Sequence, residues 1–595
     1  MKSLFLVSSV LLVATPAMAA PADDEQITVV ATGSRIPLSQ TGQSISVVGL
    51  DELQRVQGPD LTRVLERLPG VALARSGALG AQTGLFVRGA NSDQVLVLID
   101  GVRVADYASP GGNYDLGNLL ATNLQSVELL RGSNSVVWGS QAMGGVLAVT
   151  TRELHGAEAS AEYGAYQTFT GTAAAGIGND RAALNLDAGY VHSDGFSAKT
   201  GSDEADGVRQ WQLGAKGRLE LAEGLTLRAV GRYANARLGI DLASPSAPDT
   251  QFVKQGSGRL GLDYAASGLS LTGGVAFDAT ARRYDSPAWG PSEYVGGAVR
   301  TDLSGRVALP QNLALDFGAD SEWSRARSTF DARQSARLSS GHALLGWYTP
   351  AASLAAGVRV DDHDRFGTHW TVGANGSVAL VDGWRLRGAY GEGFKAPTLY
   401  QLYAAFGGNL NLRPETSRSY EAGIEKGDRN GALHIAATWF RRDSRNLIDY
   451  TTAYLNVGAA RAVGMEVELG ARVSERFRAA ANYTWLSARD LASGRDLARR
   501  PRHTVVLTGD WQTPLPALSL GADLRYVSAA VDYDFLGTPL PIADHLITSL
   551  RANLAVSETI QLFARVENLG DARYQTVYGY NTAGRSAYVG ARLRM

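Results

Sequence analysis

From Glu153 to Met595 the chain alternates apolar and polar residues with the two-residue period of a β-strand. In the first clear run the apolar positions are Trp211, Leu213, Ala215, Gly217, Leu219 and Leu221, and the polar positions between them include Gln212, Lys216, Arg218 and Glu220. A short turn at 222–224 separates this run from a second one at 225–233. Hundreds of residues of such hairpins predict an all-β membrane barrel of antiparallel strands with a polar lumen.

Residues 35–152 lack this alternation and predict a compact, mixed α/β domain, long enough to form its own core. Leu61, Val64 and Leu65 follow helical spacing behind Asp60, which can cap the first turn. The run at 95–99 is apolar throughout, as in a strand that is buried on both faces. We therefore expect an N-terminal domain at 35–152 and a separate barrel domain at 153–595.

The N-terminus has the features of a secretory signal peptide at 1–19. Lys2 precedes an apolar run at 4–13, and a small-residue cleavage motif follows at 17–19. The alternative is a membrane anchor, but this run is too short for a bilayer core of about 30 Å. Residues 20–34 are small and polar around a β-prone segment at 27–30, which predicts either a disordered tail or a strand added to a partner's sheet.

Composition excludes several classes of function. The chain has no cysteine, which rules out disulfides, thiol catalysis and cysteine-ligated zinc. The net charge of −2 gives no reason to expect a nucleic-acid partner. The catalytic motifs G-x-S-x-G and H-E-x-x-H are absent, so nothing in the sequence indicates an enzyme.

Four short motifs stand in a fixed order between residues 86 and 146: Phe86-Val87-Arg88-Gly89, Val97-Leu98-Ile99-Asp100-Gly101, Val127-Glu128-Leu129-Leu130-Arg131-Gly132 and Gly144-Gly145-Val146. This segment resembles the plug domain of TonB-dependent outer-membrane receptors. The barrel pieces at 393–397, 411–415 and 566–569 resemble the same family. The resemblance implies a 22-stranded barrel whose lumen is filled by the plug, placed in the outer membrane of a Gram-negative bacterium by that membrane's assembly machinery.

The resemblance also implies how the protein works. The segment Gln26, Ile27, Thr28, Val29 and Val30 resembles the TonB box of the family. Ligand binding would expose it to the periplasm, and TonB, energised by its inner-membrane complex, would pair with it and pull on the plug. We expect a monomer without a covalent cofactor.

Longer similarities concern the cargo. The segments at 389–415, 445–450 and 574–585 resemble the cobalamin transporters of the family. They imply active import of cobalamin (vitamin B12) or a related corrinoid. A ferric-siderophore or haem receptor on the same scaffold is the nearest alternative, and a passive porin or adhesin is a more remote one.

Two acidic runs lie in the early barrel loops, SDEADG at 202–207 and IDLASPSAPDT at 240–250. Clustered carboxylates are the ligands that Ca²⁺ prefers, and an ordinary solvated acidic loop is the alternative. The cobalamin transporters resemble this pattern, with calcium ordering two extracellular loops. The resemblance implies Asp203 or Glu204, with Asp206, Asp241 and Asp249, as calcium ligands.

Two plug loops rich in small residues are predicted to contact the ligand, although plain turns would have the same composition. The candidate residues are Gly77, Gly80, Asp106, Tyr107, Ser109, Gly111, Gly112 and Asn113. Arg88 and Arg131 of the plug resemble the family's pair that meets barrel glutamates, here Glu421 and Glu466. The alternative for these charges is simple solvation in a wet lumen.

Overall fold

The computed structural model describes residues 27–28, 32–242, 248–427, 429, 431–534 and 536–595. In this part of the chain, 22 antiparallel strands close into one barrel, and a mixed α/β domain precedes them. The predicted fold class is therefore confirmed. Among the described residues, no helix is long and apolar enough to cross a membrane.

The N-terminal domain is built on a five-stranded sheet with the strand order β3-β8-β9-β6-β7, in which β6 and β9 are parallel. Its strands are β1 Ile27–Thr28, β2 Ile36–Pro37, β3 Ser44–Gly49, β4 Val71–Arg75, β5 Thr83–Val87, β6 Val95–Ile99, β7 Val102–Val104, β8 Leu124–Arg131 and β9 Gly145–Thr151, and its helices are α1 Leu50–Val56, α2 Thr62–Leu65 and α3 Ser135–Trp138.

The core of this domain forms from the apolar runs that the sequence singled out. Every residue of β6 is buried. Leu61, Val64 and Leu65 pack in the same cluster, and the Asp60 carboxylate accepts a hydrogen bond of 3.0 Å from the Thr62 backbone N–H. The last strand of the domain ends at Thr151 and the first barrel strand begins at Gly156, so the transition lies within 152–155.

The barrel closes where its first strand pairs with its last. Its strands are β10 Gly156–Gly164, β11 Thr168–Gly178, β12 Ala182–Phe196, β13 Asp206–Ala222, β14 Leu225–Ile240, β15 Asp249–Ala266, β16 Leu269–Ser286, β17 Gly290–Leu309, β18 Leu313–Ser328, β19 Gln334–Tyr348, β20 Ala352–His363, β21 Gly367–Ala379, β22 Trp384–Lys395, β23 Glu415–Lys426, β24 Leu433–Tyr450, β25 Tyr454–Ser474, β26 Phe477–Asp490, β27 His503–Gln512, β28 Leu518–Val527, β31 His545–Ala555, β32 Ile560–Glu567 and β33 Ser586–Arg594. A separate hairpin, β29 Ala530–Tyr533 and β30 Pro539–Ile542, lies between β28 and β31, and helix α4 Leu399–Tyr403 lies between β22 and β23.

Alternation along the strands sorts the side chains as predicted. On β13, Gln210 and Gln212 are buried inside the barrel, whereas Trp211 and Leu213 are exposed on its outer surface. The connections also alternate, from two residues between β13 and β14 to nine between β12 and β13. Because barrels of this kind have short periplasmic turns and longer extracellular loops, the long connections mark the extracellular end.

Candidate functional site

A cavity of about 290 Å³ lies between the plug and the extracellular half of strands β13–β16. The plug contributes residues from 76–82 and 106–118, and the 574–585 segment contributes Tyr580. Both loops that the sequence nominated therefore border one cavity. A cavity of this size can hold only part of a large ligand.

The nominated loop residues do not all face this cavity. Asp106, Ser109, Gly111 and Asn113 are among its lining residues. Gly77, Gly80, Tyr107 and Gly112 are not among them. Burial between the plug and the wall, near the carboxylates of Glu322 and Asp278, raises the pKa of the Tyr107 phenol.

Two of the nominated glycines are explained by close packing against the barrel. A Cβ on Gly77 would stand 2.6 Å from the Ala198 Cβ, and one on Gly80 would stand 2.8 Å from a Val208 methyl group. Both glycines also have positive φ angles, +123° and +87°. Their small size therefore allows the plug loop to approach the barrel wall.

Carboxylates dominate the charge of the cavity. Asp106, Asp115, Asp206 and Asp241 line it, and the cation among its lining residues is Arg282. Arg282 is already paired, because its Nε lies 2.6 Å from Asp106 Oδ2. Arg282 lies on an inward position of β16 and was not predicted as a site residue, because its only sequence signal is an arginine on the polar face of a strand.

Three of the predicted calcium ligands meet at the rim of this cavity. One carboxylate oxygen from each of Glu204, Asp206 and Asp241 lies within 4.8 Å of the others. Glu204 Oε2 and Asp206 Oδ1 are buried, and no described residue donates a hydrogen bond to them. Partial desolvation, with the neighbouring carboxylates Asp206, Asp241 and Asp249, raises the pKa of Glu204 to about 7. Buried carboxylate oxygens without donors fit a hard divalent cation.

The other two candidates, Asp203 and Asp249, are not part of this group. Asp203 is exposed and does not belong to it. Asp249 is 1% exposed, and its Oδ2 accepts a hydrogen bond of 2.8 Å from the Leu242 backbone N–H. This bond fixes the position of the start of the second acidic loop. The sequence left Asp203 and Glu204 as alternatives, and Glu204 is the one that lies close to Asp206 and Asp241.

The 574–585 segment packs directly on the loop that carries these carboxylates. The Asn581 N–H donates to the Ala198 carbonyl at 2.7 Å, and the Thr200 N–H donates to the Gly579 carbonyl at 3.0 Å. The Asn581 side chain donates to the Ser197 carbonyl at 3.0 Å. Two segments that lie about 380 residues apart therefore build one extracellular structure.

A second cluster lies deep in the lumen, where the plug arginines meet barrel glutamates. Arg88 Nη2 is 2.7 Å from Glu466 Oε2, and Arg88 Nη1 is 2.5 Å from Glu421 Oε2. Arg131 Nη1 lies 2.9 Å from Glu466 Oε2, and its Nη2 lies 3.0 Å from Glu468 Oε1. Glu468 was not predicted as a partner, although it lies two residues after Glu466 and therefore on the same inward face.

Part of the predicted TonB box is folded against the plug. Ile27–Thr28 pairs with Ile36–Pro37 as a short antiparallel ladder. The Thr28 hydroxyl donates to Glu128 Oε2 at 2.7 Å in a buried contact. Gln26, Val29 and Val30, like the predicted signal peptide at 1–19, lie outside the described residues.

Comparison with protein families matches both domains. The family model described as TonB-dependent Receptor Plug Domain matches residues 37–146. The family model described as TonB dependent receptor-like, beta-barrel matches residues 150–569, which is more than half of the chain.

Comparison with solved structures matches the fold over almost the whole chain. The siderophore receptor PirA from Acinetobacter baumannii is 18% identical, with a TM-score of 0.80 over 93% of this chain and 98% of that one. A variant of the ferric enterobactin receptor PfeA from Pseudomonas aeruginosa is 19% identical, with a TM-score of 0.81 over 96% and 100%. FpvA from P. aeruginosa, bound to heterologous pyoverdines, is 15% identical, with a TM-score of 0.79 over 96% and 88%.

Proposed function

The chain belongs to the TonB-dependent receptor family, as a multi-pass barrel of the outer membrane, and on that premise we propose that it imports cobalamin or a related corrinoid. The observation that carries the proposal is the carboxylate cluster of Glu204, Asp206 and Asp241 at the rim of the extracellular cavity. A bound divalent cation neutralises these groups and orders the two loops that carry them.

The packing around the cluster supports the same cargo. The 574–585 segment, which resembles cobalamin transporters, holds the 197–206 loop through backbone hydrogen bonds. Asp206 and Asp241 belong both to the carboxylate cluster and to the cavity lining. A change in the order of these loops therefore changes the wall against which the ligand would rest.

Electrostatics favours a cargo without net negative charge. Among the described residues, four carboxylates line the cavity, and the one lining cation, Arg282, already faces Asp106. A ferric catecholate is a multiply charged anion, which these carboxylates would repel. Cyanocobalamin has no net charge, and its amide side chains can donate hydrogen bonds to carboxylates.

A ferric siderophore is the second candidate, because tyrosines run along the barrel wall beside Arg282. The rings of Tyr284 and Tyr294 lie 5.8 Å apart, and those of Tyr294 and Tyr400 lie 6.2 Å apart. The Arg282 guanidinium lies 5.5 Å from the centre of the Tyr294 ring. Aromatic rings with an arginine suit planar catecholates, provided that Arg282 can leave Asp106.

We further propose that TonB drives transport through the segment at 26–30. The hydrogen bond from Thr28 to Glu128 and the ladder to Ile36–Pro37 hold part of this segment against the plug. TonB can pair with the segment as an added strand only after these contacts open. Pulling then acts on the plug, whose arginines Arg88 and Arg131 are bound to barrel glutamates.

The test is a binding comparison on the purified receptor. Cyanocobalamin and ferric enterobactin are titrated in calcium and again after chelation with EGTA. We expect saturable cyanocobalamin binding that weakens at least tenfold on chelation, and no saturable enterobactin binding. Saturable enterobactin binding with no response to cyanocobalamin would establish the second candidate instead.

The chain offers a matched control for the cation dependence. Glu204→Gln removes a carboxylate of the cluster, whereas Asp203→Asn removes an exposed carboxylate one residue away. We expect the calcium effect on cyanocobalamin binding to be lost in Glu204→Gln and kept in Asp203→Asn. Equal calcium effects in both variants would mean that the cluster is an ordinary acidic loop.

A further inference from the structure

One row of residues crosses five neighbouring strands on the outer surface of the barrel, near its extracellular end. Its members are His192, Arg209, Arg237, Phe252 and Arg283, on β12 to β16, and each is the direct cross-strand partner of the next. We call it the cationic row. Its side chains share the outward face with Trp211 and Tyr233, which are exposed.

The row lies at the edge of an aromatic belt. Tyr190 and Trp211 are cross-strand partners two residues closer to the membrane centre than His192 and Arg209. The Trp211 and Tyr233 rings lie 5.3 Å apart. Tyrosine and tryptophan gather where hydrocarbon meets the headgroups, so His192 and Arg209, which lie next to this belt, are at the headgroup level of the outer leaflet.

Two charges of the row, those of Arg209 and Arg237, are not balanced by a carboxylate of the described residues. Arg209 stands directly opposite Arg237, and like charges in that arrangement destabilise a sheet. In the described part of the chain, no carboxylate lies within 4.0 Å of Arg209, Arg237 or the neighbouring outward Lys254. Asp285 pairs with Arg283, and Asp194 lies 3.3 Å from His192.

Phe252 separates the two arginines on either side of it. The Arg237 guanidinium lies 5.7 Å from the centre of the Phe252 ring, and the Arg283 guanidinium lies 5.8 Å from it. The ring thus lies between two guanidinium groups on the outer surface. Planar guanidinium groups that keep free N–H donors are the usual protein ligands of phosphate.

Another part of the barrel provides a contrast. Arg441 and Arg461 also lie on the outward face, on β24 and β25, but both bind Asp443, at 2.8 Å and 2.6 Å. A carboxylate of the protein therefore lies between those two cations and reduces their combined charge from +2 to +1. The cationic row has no such carboxylate between Arg209 and Arg237, so the missing negative charge has to come from the surroundings.

We propose that the cationic row binds the phosphate groups of a lipid in the outer leaflet. The row faces away from the lumen at the headgroup level, where a membrane lipid is the molecule in contact with it. Phosphate between Arg209 and Arg237 offsets their repulsion, and the acyl chains then lie along the belt of Tyr190, Trp211 and Tyr233. The bound lipid borders the strands that carry the acidic loops.

The experiment uses the full-length receptor in nonionic detergent with bisphosphorylated lipid A as the probe. Native mass spectrometry counts bound lipid across a titration, with dephosphorylated lipid A and inorganic phosphate as parallel probes. We expect the parent to bind lipid A at least about tenfold more tightly than its dephosphorylated form. Equal retention of the two lipids would overturn the proposal, and so would binding of inorganic phosphate as tight as that of lipid A.

The double variant Arg209→Gln/Arg237→Gln should bind lipid A at least about tenfold more weakly than the parent. The matched control, Arg441→Gln/Arg461→Gln, removes the same number of outward arginines and should stay within about twofold, because Asp443 already binds both guanidinium groups. Equal losses in both variants would reject the assignment. Heat-modifiable migration checks that each barrel has folded. If the first variant does not fold, the proposal is still tested by comparing the binding of the two lipids to the parent.

Discussion

Glu466 Oε2 on the barrel wall lies 2.7 Å from Arg88 Nη2 of the plug, and Arg131 Nη1 lies 2.9 Å from the same oxygen. The side chains of Arg88 and Glu466 are 5% and 1% exposed. Two cations share one buried carboxylate, while Glu421 and Glu468 supply the remaining negative charge. The plug is therefore held in the lumen by a compact ionic network that has to rearrange if the plug is to move.

Removing Arg88 should loosen the plug. Arg88→Gln removes one of the two cations that share Glu466 and the 2.5 Å partner of Glu421, and breaking a buried pair costs about 3–5 kcal/mol. We expect the free energy of plug unfolding, measured by urea titration with pulse proteolysis, to fall by about 3 kcal/mol. The control is Arg55→Gln, because Arg55 is partly exposed and 3.9 Å from Asp510, and should change by less than about 1 kcal/mol. A similar fall in the free energy of unfolding for both variants would contradict the structural role of the network.

Calcium binding should weaken as the pH falls. The pKa of Glu204 is raised from 4.5 to about 7 in the folded, cation-free loop. Between these values the folded loop holds more protons than the unfolded chain, so its stability without the cation decreases as pH rises through that window. A cation has to displace this proton below pH 7, and its affinity should fall about tenfold per pH unit for one proton. Calorimetric titration at pH 8, 7 and 6 measures this, and Glu204→Gln should flatten the profile.

Added bulk at Asn113 should reduce cobalamin affinity. Asn113 lines the extracellular cavity. Gly111 and Gly112 are poorer positions, because a Cβ on Gly111 would stand 2.7 Å from the Asp93 Cβ, and Gly112 has a φ of +74°. We expect Asn113→Trp to weaken cyanocobalamin binding at least tenfold, a loss of about 1.4 kcal/mol. The control Gln125→Trp places the same bulk at another cavity, lined by α1 and the barrel turns, and should leave affinity unchanged. Undiminished binding by Asn113→Trp would exclude this cavity as the floor of the site.

Proline in the TonB box should uncouple binding from transport. Val29→Pro removes a backbone donor that an added strand needs, so uptake of labelled cobalamin should stop while surface binding continues. Val29→Ile keeps the donor and the β-propensity, and it should transport normally. Uptake by the proline variant at the parent rate would refute the assignment of the box.

The sequence by itself determined the class of protein and the direction in which most side chains point. A period of two over more than 400 residues requires one polar and one apolar face, and Gln212 and Leu213 indeed lie on opposite sides of the wall. The apolar run of β6 likewise required a buried central strand. These features follow from local pattern, because strand geometry alone sets which way each residue faces.

Only the tertiary structure decided which distant residues meet. It brought Asn581 onto the loop of Ala198, placed Glu204 rather than Asp203 beside Asp206 and Asp241, and added Glu468 to the partners of Arg131. It also turned Gly77 and Gly80 against the barrel wall rather than into the cavity. Barrel closure and the docking of the plug set these distances, and both depend on register and packing between segments hundreds of residues apart. No local pattern carries that information, because each residue's spacing to a distant strand is fixed only when the sheet closes.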